Sequence, residues 1–448
     1  MSDFRGKHIT VVGLGQSGVA AARVLLSEGA HVRVSEQRPA SEVRDTTAAA
    51  ARAEILSGGH APDHLDGADL LVVSPGVPES APVISWAEQR GIPVISELEV
   101  GARLARSPYV AVTGTNGKTM ITRLIAEAMR RAGIDAIACG NVGYPFSLAA
   151  AEGHEALVVE ASSFQLRFHQ TFHPQVSALL NLAEDHTDWH GSPQSYADAK
   201  RRIYLRQVGA DVHVGNRDEG PAAAVSREAG CRVVWFTSGV PAPGEAGFQD
   251  GELVWQGTDE RRSLGVPFST APSHLANAAA AAAVAISFGV DPDAVGSAVR
   301  ETGPPAHRGE TVAEVAGVRF VDDSKATNPH AALSTIRGFR DAILICGGRS
   351  KGVDLSPMAD AIPHVAGVVL VGEAAAELRG IFGDRVPVRT ASSIEEAVAH
   401  AHAMASPGTS VVLAPGCSSW DMFRDYAERG DRFAAAAAAL ERRKVPHG

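Results

Sequence analysis

The stretch Tyr109-Val-Ala-Val-Thr-Gly-Thr-Asn-Gly-Lys-Thr-Met-Ile-Thr-Arg123 sets a short apolar run, a glycine loop and a helix-type run end to end. This is the order a phosphate-binding loop requires. Gly114 and Gly117 let backbone N–H groups close on an anion, Lys118 adds a positive charge, and the following helix turns its N-terminus toward the same point. Thr119, directly after the lysine, stands where such loops hold Mg²⁺. The spacing departs from G-x-x-x-x-G-K-[ST], because Val112 occupies the place of the first glycine, so a plain strand-to-helix turn is the alternative.

Outward from this loop, 448 residues suggest about three domains. An apolar share of 45% with 21% charged residues is that of a soluble globular chain. The formal charge of −10 gives no basic field for nucleic acid, so an anionic ligand must be held by local features. Cys139, Cys231, Cys346 and Cys417 lie far apart without a C-x-x-C pair, which argues for a reducing compartment and against a zinc cluster. No run reaches the ~18 apolar residues of a membrane span, and the N-terminus has no signal-peptide core. The cytoplasm is the expected location.

Strand and helix signals alternate along the whole chain. His8–Val12, Val32–Ser35, Leu70–Val73 and Pro93–Ser96 read as parallel strands of a first domain, residues 1–100. The second domain, 101–304, opens with the glycine loop and continues through Ala156–Glu160, Val176–Asn181, Val212–Gly215 and Arg232–Phe236. Residues 239–268 read as a small hairpin region, and an alanine-rich helix follows Asn277. After Gly303-Pro-Pro305, a third domain, 305–448, repeats the alternation with Val318–Val321, Ala342–Cys346, Val368–Val371 and Ser410–Leu413. Three tandem α/β domains, Rossmann-like at both ends and built round the phosphate loop in the middle, are the expected fold.

Gly13-Leu-Gly-Gln-Ser-Gly18 after the first strand fits a dinucleotide fingerprint, with Glu36 ending the next strand where a ribose-binding acid sits. A nicotinamide site and a similar nucleotide cradle share this pattern. Glu160 ends a buried strand and leads into Ala-Ser-Ser-Phe-Gln165, a polar loop where a carboxylate could take Mg²⁺ or simply be solvated. Lys200 reads as a surface lysine on an amphipathic helix. His307-Arg308 fits a hinge ion pair or a phosphate clamp.

The ordered set Gly-Thr-Asn-Gly-Lys-Thr, Glu-Ala-Ser-Ser-Phe-Gln-Leu, Asn-Leu-Ala-Glu-Asp-His, Tyr-Ala-Asp-Ala-Lys, His-Arg, Asp-Asp-Ser-Lys-Ala-Thr-Asn and Ala-Pro-Gly-Cys-Ser-Ser resembles the Mur ligases, from Gly13 to Phe433. The resemblance implies an ATP- and Mg²⁺-dependent ligase that joins D-glutamate to UDP-N-acetylmuramoyl-L-alanine through an acyl phosphate, in peptidoglycan precursor synthesis. It implies a monomer with small-molecule substrates, in which closure of the third domain completes the site.

Carried over by position, Gln16, Ser17, Glu36, Arg38 and Ser74 match residues around the UDP, and Asn141, Ser162 and Gln165 match muramoyl contacts. Gly114, Thr115, Asn116, Gly117, Lys118, Thr119, Asn277, Arg308 and Asp323 match the ATP site. Thr119, Glu160, His186 and a carbamylated Lys200 match the metal ligands, and Lys118, Lys200, His186 and Arg308 the catalytic set. Thr327, Lys351, Ser419 and Tyr426 match the D-glutamate pocket. Ser273-His274 departs from the usual His-Asn, Met120 from a hydroxyl residue and Tyr426 from the usual Phe. The alternatives are a sister ligase taking another amino acid such as L-glutamate, a folate polyglutamate ligase, a nicotinamide oxidoreductase and a non-catalytic nucleotide sensor.

Overall fold

A computed structural model describes residues 3–47, 52–258, 260–269 and 271–442. Valine- and isoleucine-rich runs form three sheets, most of whose strands are buried on both faces, as parallel strands covered by helices must be. The first sheet contains β1 (His8–Val12), β2 (His31–Glu36), β3 (Glu54–Ser57), β4 (Leu70–Val73) and β5 (Val94–Ser96). Its order is β3-β2-β1-β4-β5 with every pairing parallel. The order reverses between β1 and β4, and the Gly13–Gly18 turn leaves β1 at that point. A Cβ on Gly18 would lie 1.9 Å from the Gly13 carbonyl oxygen, so only glycine lets the helix Gln16–Ser27 start this close to the strand.

The second sheet has nine strands: β6 (Tyr109–Thr113), β7 (Ala136–Gly140), β8 (Ala156–Glu160), β9 (Val176–Leu179), β10 (Val212–Asn216), β11 (Arg232–Phe236), β12 (Glu245–Gln249), β13 (Glu252–Gln256) and β14 (Arg261–Gly265). The order is β14-β13-β12-β11-β10-β9-β6-β8-β7. The expected hairpin region is thus an extension of this sheet: β12 pairs parallel with β11, and β13 and β14 add antiparallel. Ala278–Ala285 of the helix Pro272–Phe288 are buried in the core of this sheet, where methyl-sized side chains allow close packing.

The third sheet contains β15 (Glu310–Val315), β16 (Val318–Asp322), β17 (Ala342–Gly347), β18 (Val365–Val371), β19 (Val388–Thr390) and β20 (Ser410–Leu413). Its order is β15-β16-β20-β17-β18-β19, with only the β15–β16 pair antiparallel. The chain forms two compact units. The first takes the residues up to Leu182, Trp189–Phe268 and Ala276–Thr302; the second takes Ala183–Asp188, Ser269–Leu275 and the chain from Gly303. Gly101 lies inside the helix Glu97–Leu104, where a Cβ would fall 2.4 Å from the Phe146 ring. Among the described residues no helix is long and apolar enough to cross a membrane.

Candidate functional site

In the first unit the glycine loop leaves β6, which lies between β8 and β9. The chain runs from β6 to one side and later returns to the other, so the carboxyl end of β6 is the switch point at which open α/β sheets bind ligands. Gly114 and Gly117 take φ of +156° and +90°, and the helix Lys118–Arg131 begins directly after Gly117. A Cβ on Gly117 would lie 2.6 Å from Asn277 Oδ1, so the alanine helix delivers Asn277 to the loop. Asn181, after β9, fixes the loop from the other side: its carbonyl accepts from Thr115 N–H (3.1 Å), its Oδ1 from Asn116 N–H (2.8 Å), and its Nδ2 donates to the Asn116 carbonyl (3.2 Å).

Lys118 Nζ donates to the carbonyls of Gly114 (2.8 Å) and Thr115 (3.0 Å). Lys200 is not a surface lysine. It is 1% exposed, and its Nζ donates to the same Gly114 carbonyl at 2.8 Å. Its ammonium lies 4.5 Å from the centre of the Tyr196 ring, and the Tyr196 hydroxyl donates to Thr115 Oγ1 (3.1 Å). The helix Pro193–Arg201 makes this possible, because residues four apart share a face and Tyr196 lines the lysine's path to the loop. Thr119 is half-buried in the first turn of the loop helix. Glu160, at the end of β8, is buried, and its Oε1 accepts from Asn141 Nδ2 (3.1 Å).

At the first sheet Gln16 Nε2 donates to the Gly143 carbonyl (2.6 Å), which ties the fingerprint turn to the loop carrying Asn141. Glu36 is buried, and both its oxygens are engaged: Oε2 accepts from Leu14 N–H (2.6 Å), and Oε1 from Arg38 N–H and Nε (both 2.9 Å). Burial pushes its carboxyl up, but the hydrogen bonds from Arg38 and Leu14 more than offset that and hold it down at about 2. Ser74 Oγ donates to the Gly13 carbonyl (3.4 Å), and Ser17 stands in the first turn of the helix after the fingerprint. Ser162 and Gln165 lie in a short helix, Ser163–Arg167, and its cap, where a loop was expected. They form a capping box, and each end of the buried Gln165 amide has a partner.

In the second unit His186 adopts a left-handed backbone, φ +55°, and its N–H donates to Asp185 Oδ1 (3.0 Å). His307 Nδ1 pairs with the buried Asp322 at 2.7 Å, so the histidine before Arg308 is taken up by the end of β16. Asp323 is buried beside Thr335, whose hydroxyl donates to it, and Arg308 acts on its charge. Thr327 sits in the loop before the helix Pro329–Ile336 and donates its N–H to the Lys325 carbonyl (2.8 Å). Ser419 is buried after β20. Lys351 has φ +57° and its ammonium lies 5.9 Å from the Trp420 ring, and Lys325 Nζ lies 3.8 Å from the ring centre of Tyr426. Asn181 and Tyr196 were given no role from the sequence. A polar residue ending the strand beside a phosphate loop, and an aromatic four residues before a lysine, were the signals for them.

Three stretches match family profiles: residues 7–96 the MurD-like N-terminal domain of Mur ligases, 112–285 the Mur ligase middle domain and 307–417 the glutamate ligase domain. The UDP-N-acetylmuramoylalanine–D-glutamate ligase of Frankia casuarinae is 42% identical over 98% of this chain and 95% of its own. Relatives of the same name from Geotalea daltonii and Streptomyces coelicolor are 38% and 36% identical over 98% of this chain, and over 98% and 99% of their own. Among solved structures, MurF from Acinetobacter baumannii superposes with a TM-score of 0.62 at 16% identity, covering 99% of this chain and 93% of that one. The UDP-N-acetylmuramate-alanine ligase of Thermotoga maritima gives 0.60 at 18%, covering 97% and 99%. At such identities these structures speak for the fold alone.

Proposed function

The chain belongs to the Mur ligase family, and from that premise we propose that it joins D-glutamate to the L-alanyl carboxylate of UDP-N-acetylmuramoyl-L-alanine at the expense of ATP. Full-length similarity to relatives bearing that activity in their names supports this substrate pair over a sister ligase. A carboxylate acylates amines poorly at neutral pH. Phosphorylation by ATP makes an acyl phosphate that the D-glutamate amine opens, giving an amide, ADP and phosphate.

In this reading the Gly114–Thr119 loop and Lys118 hold the ATP phosphates, with Asn277, Arg308 and Asp323 completing the nucleotide site. Gln16, Ser17, Glu36, Arg38 and Ser74 frame the UDP, and Asn141 and Ser162, backed by Gln165, face the muramoyl part. Thr327, Lys351, Ser419 and Tyr426 hold D-glutamate. The donors fit a hard cation, since Thr119 offers a hydroxyl and buried Glu160 a carboxylate. With His186 and Lys200 as a carbamate they would hold Mg²⁺, which when bound neutralises charge between the γ-phosphate and the carboxylate. The residues themselves act mainly by positioning and by fixed charge.

The observation that carries the reading is the convergence of Lys118 and Lys200 on one carbonyl, that of Gly114. Two ammonium groups sharing an acceptor repel, whereas a carbamate on Lys200 would turn that repulsion into attraction and give the cation anionic oxygens. The match of residues 7–96 to the MurD-like N-terminal domain speaks against the nicotinamide alternative. An amino-acid panel with ATP and UDP-N-acetylmuramoyl-L-alanine, scored by phosphate release, tests the function. Release is expected with D-glutamate; release with L- but not D-glutamate would overturn the substrate assignment.

A further inference from the structure

The helix Glu97–Leu104 opens with two buried carboxylates that no step of the proposed reaction uses. Glu99 is saturated: its oxygens accept from the N–H groups of Gln170 (2.9 Å), Thr171 (2.8 Å) and Phe172 (3.2 Å), from the Thr171 hydroxyl and from Arg103 Nε (both 2.8 Å). It anchors a loop. Glu97 is different. It is 1% exposed, and one hydrogen bond reaches each oxygen: Oε1 accepts from Ser147 N–H (2.7 Å) and Oε2 from Gln165 Nε2 (3.4 Å). Burial pushes its carboxyl above the ordinary value, and the bonds from Ser147 and Gln165 pull it back.

Those two partners lead in useful directions. Ser147 is in the first turn of the helix Phe146–Glu152, which follows the loop bearing Asn141. Gln165 Oε1 accepts from both the N–H (3.1 Å) and the hydroxyl (3.0 Å) of Ser162. Ser96, one residue earlier, adds two bonds to the same helix, from its hydroxyl to the Gln165 carbonyl (2.8 Å) and from its N–H to the Phe168 carbonyl (2.9 Å).

We propose that Glu97 is a positioning residue for the muramoyl side of the site: its two oxygens, through Ser147 and Gln165, fix the loops that present Asn141 and Ser162 to the substrate. The inference rests on the assignment of those two residues above. Its logic is one of polarity. Gln165 turns its oxygen to Ser162 because Glu97 accepts from its nitrogen, so the carboxylate dictates which way the amide faces. An isosteric Glu97→Gln keeps an acceptor for Ser147 but sets an NH₂ group against the Gln165 NH₂. Flipping Gln165 would move the clash to the Ser162 N–H. A buried donor loses its partner either way, which costs more than the bond itself was worth.

The test compares the wild-type chain, Glu97→Gln, and the double variant Glu97→Gln/Gln165→Glu, in which donor and acceptor trade places. Kinetics are measured with all three substrates, and amide hydrogen exchange over residues 141–147 and 162–168. For Glu97→Gln the KM for UDP-N-acetylmuramoyl-L-alanine is expected to rise about tenfold, with those for ATP and D-glutamate within about twofold and exchange faster in both segments. The double variant should recover most of the protection in both segments. An unchanged KM, an equal rise for all three substrates, or no recovery of protection in the double variant overturns the proposal. If wild-type chain releases no phosphate with the UDP substrate and D-glutamate, the function assigned above fails instead. Unchanged exchange in Glu97→Gln would then still reject the hold ascribed to Glu97.

Discussion

Replacing Asp323 by Asn should stabilise the ligand-free chain above pH 6 while disabling it. Folding raises this carboxyl from its ordinary 3.8 to about 6, chiefly because burial penalises the charged form; Thr335, Arg308 and the Gly309 N–H pull the other way, and Asp322 adds to the rise. Below about pH 3.8 the group is neutral in both states and its stabilising contribution is fully present. As pH climbs through about 6, the folded chain must carry a buried charge and the contribution is lost. A rise of that size corresponds to about 3 kcal/mol, of which about 2 kcal/mol accrues between pH 4.5 and 8. Asparagine is neutral throughout and keeps an oxygen for the Thr335 hydroxyl. The difference in unfolding free energy between variant and wild type should therefore grow in the variant's favour by about 2 kcal/mol from pH 4.5 to 8. Paired urea titrations followed by tryptophan fluorescence measure it, and taking differences cancels every other titrating group. Phosphate release should fall by about a hundredfold or more, since the proposed role of Asp323 in the nucleotide site relies on its fixed charge. A stability difference that is flat with pH, or that shrinks toward pH 8, would refute the reasoning.

Two further substitutions probe the loops. Gly18→Ala places a methyl 1.9 Å from the Gly13 carbonyl, so the helix or the strand end must shift. A loss of about 1–3 kcal/mol and weaker binding of the UDP substrate are expected, and an unchanged melting temperature would reject the close approach. Lys200→Ala should lower turnover by about a thousandfold or more and be partly rescued by a small carboxylate, scored by phosphate release. Full activity in that variant would remove the carbamate from the mechanism.

Much of the fold was legible because parallel strands buried on both faces must be nearly continuous apolar runs, as at Leu70–Val73 and Ser410–Leu413. Weaker strands escaped notice for the converse reason: β15 and β19 are edge strands rich in polar residues, and β7 is alanine- and glycine-containing. The region 239–268 has hairpin chemistry, and nothing local says that β12 joins β11 in parallel, a pairing decided by tertiary contacts.

The site divides along the same line. Glycine positions, the loop lysine and the strand-end Glu160 follow from local backbone demands and can be read in order along the chain. The burial of Lys200 cannot, since a helix pattern such as Tyr196-Ala-Asp-Ala-Lys-Arg-Arg reads as solvated, whereas in the fold the Gly114 carbonyl meets its inner face. The same holds for Glu97, whose neighbours in sequence, Leu98 and Ile95, mark a core. Its partners lie 50 and 68 residues away on the chain, so the polarity that orients Gln165 exists only once those segments have met. Residues that touch a ligand tend to sit at strand ends and can be inferred singly. Residues that aim them are defined by pairs, and a pair has no signature until the fold supplies it.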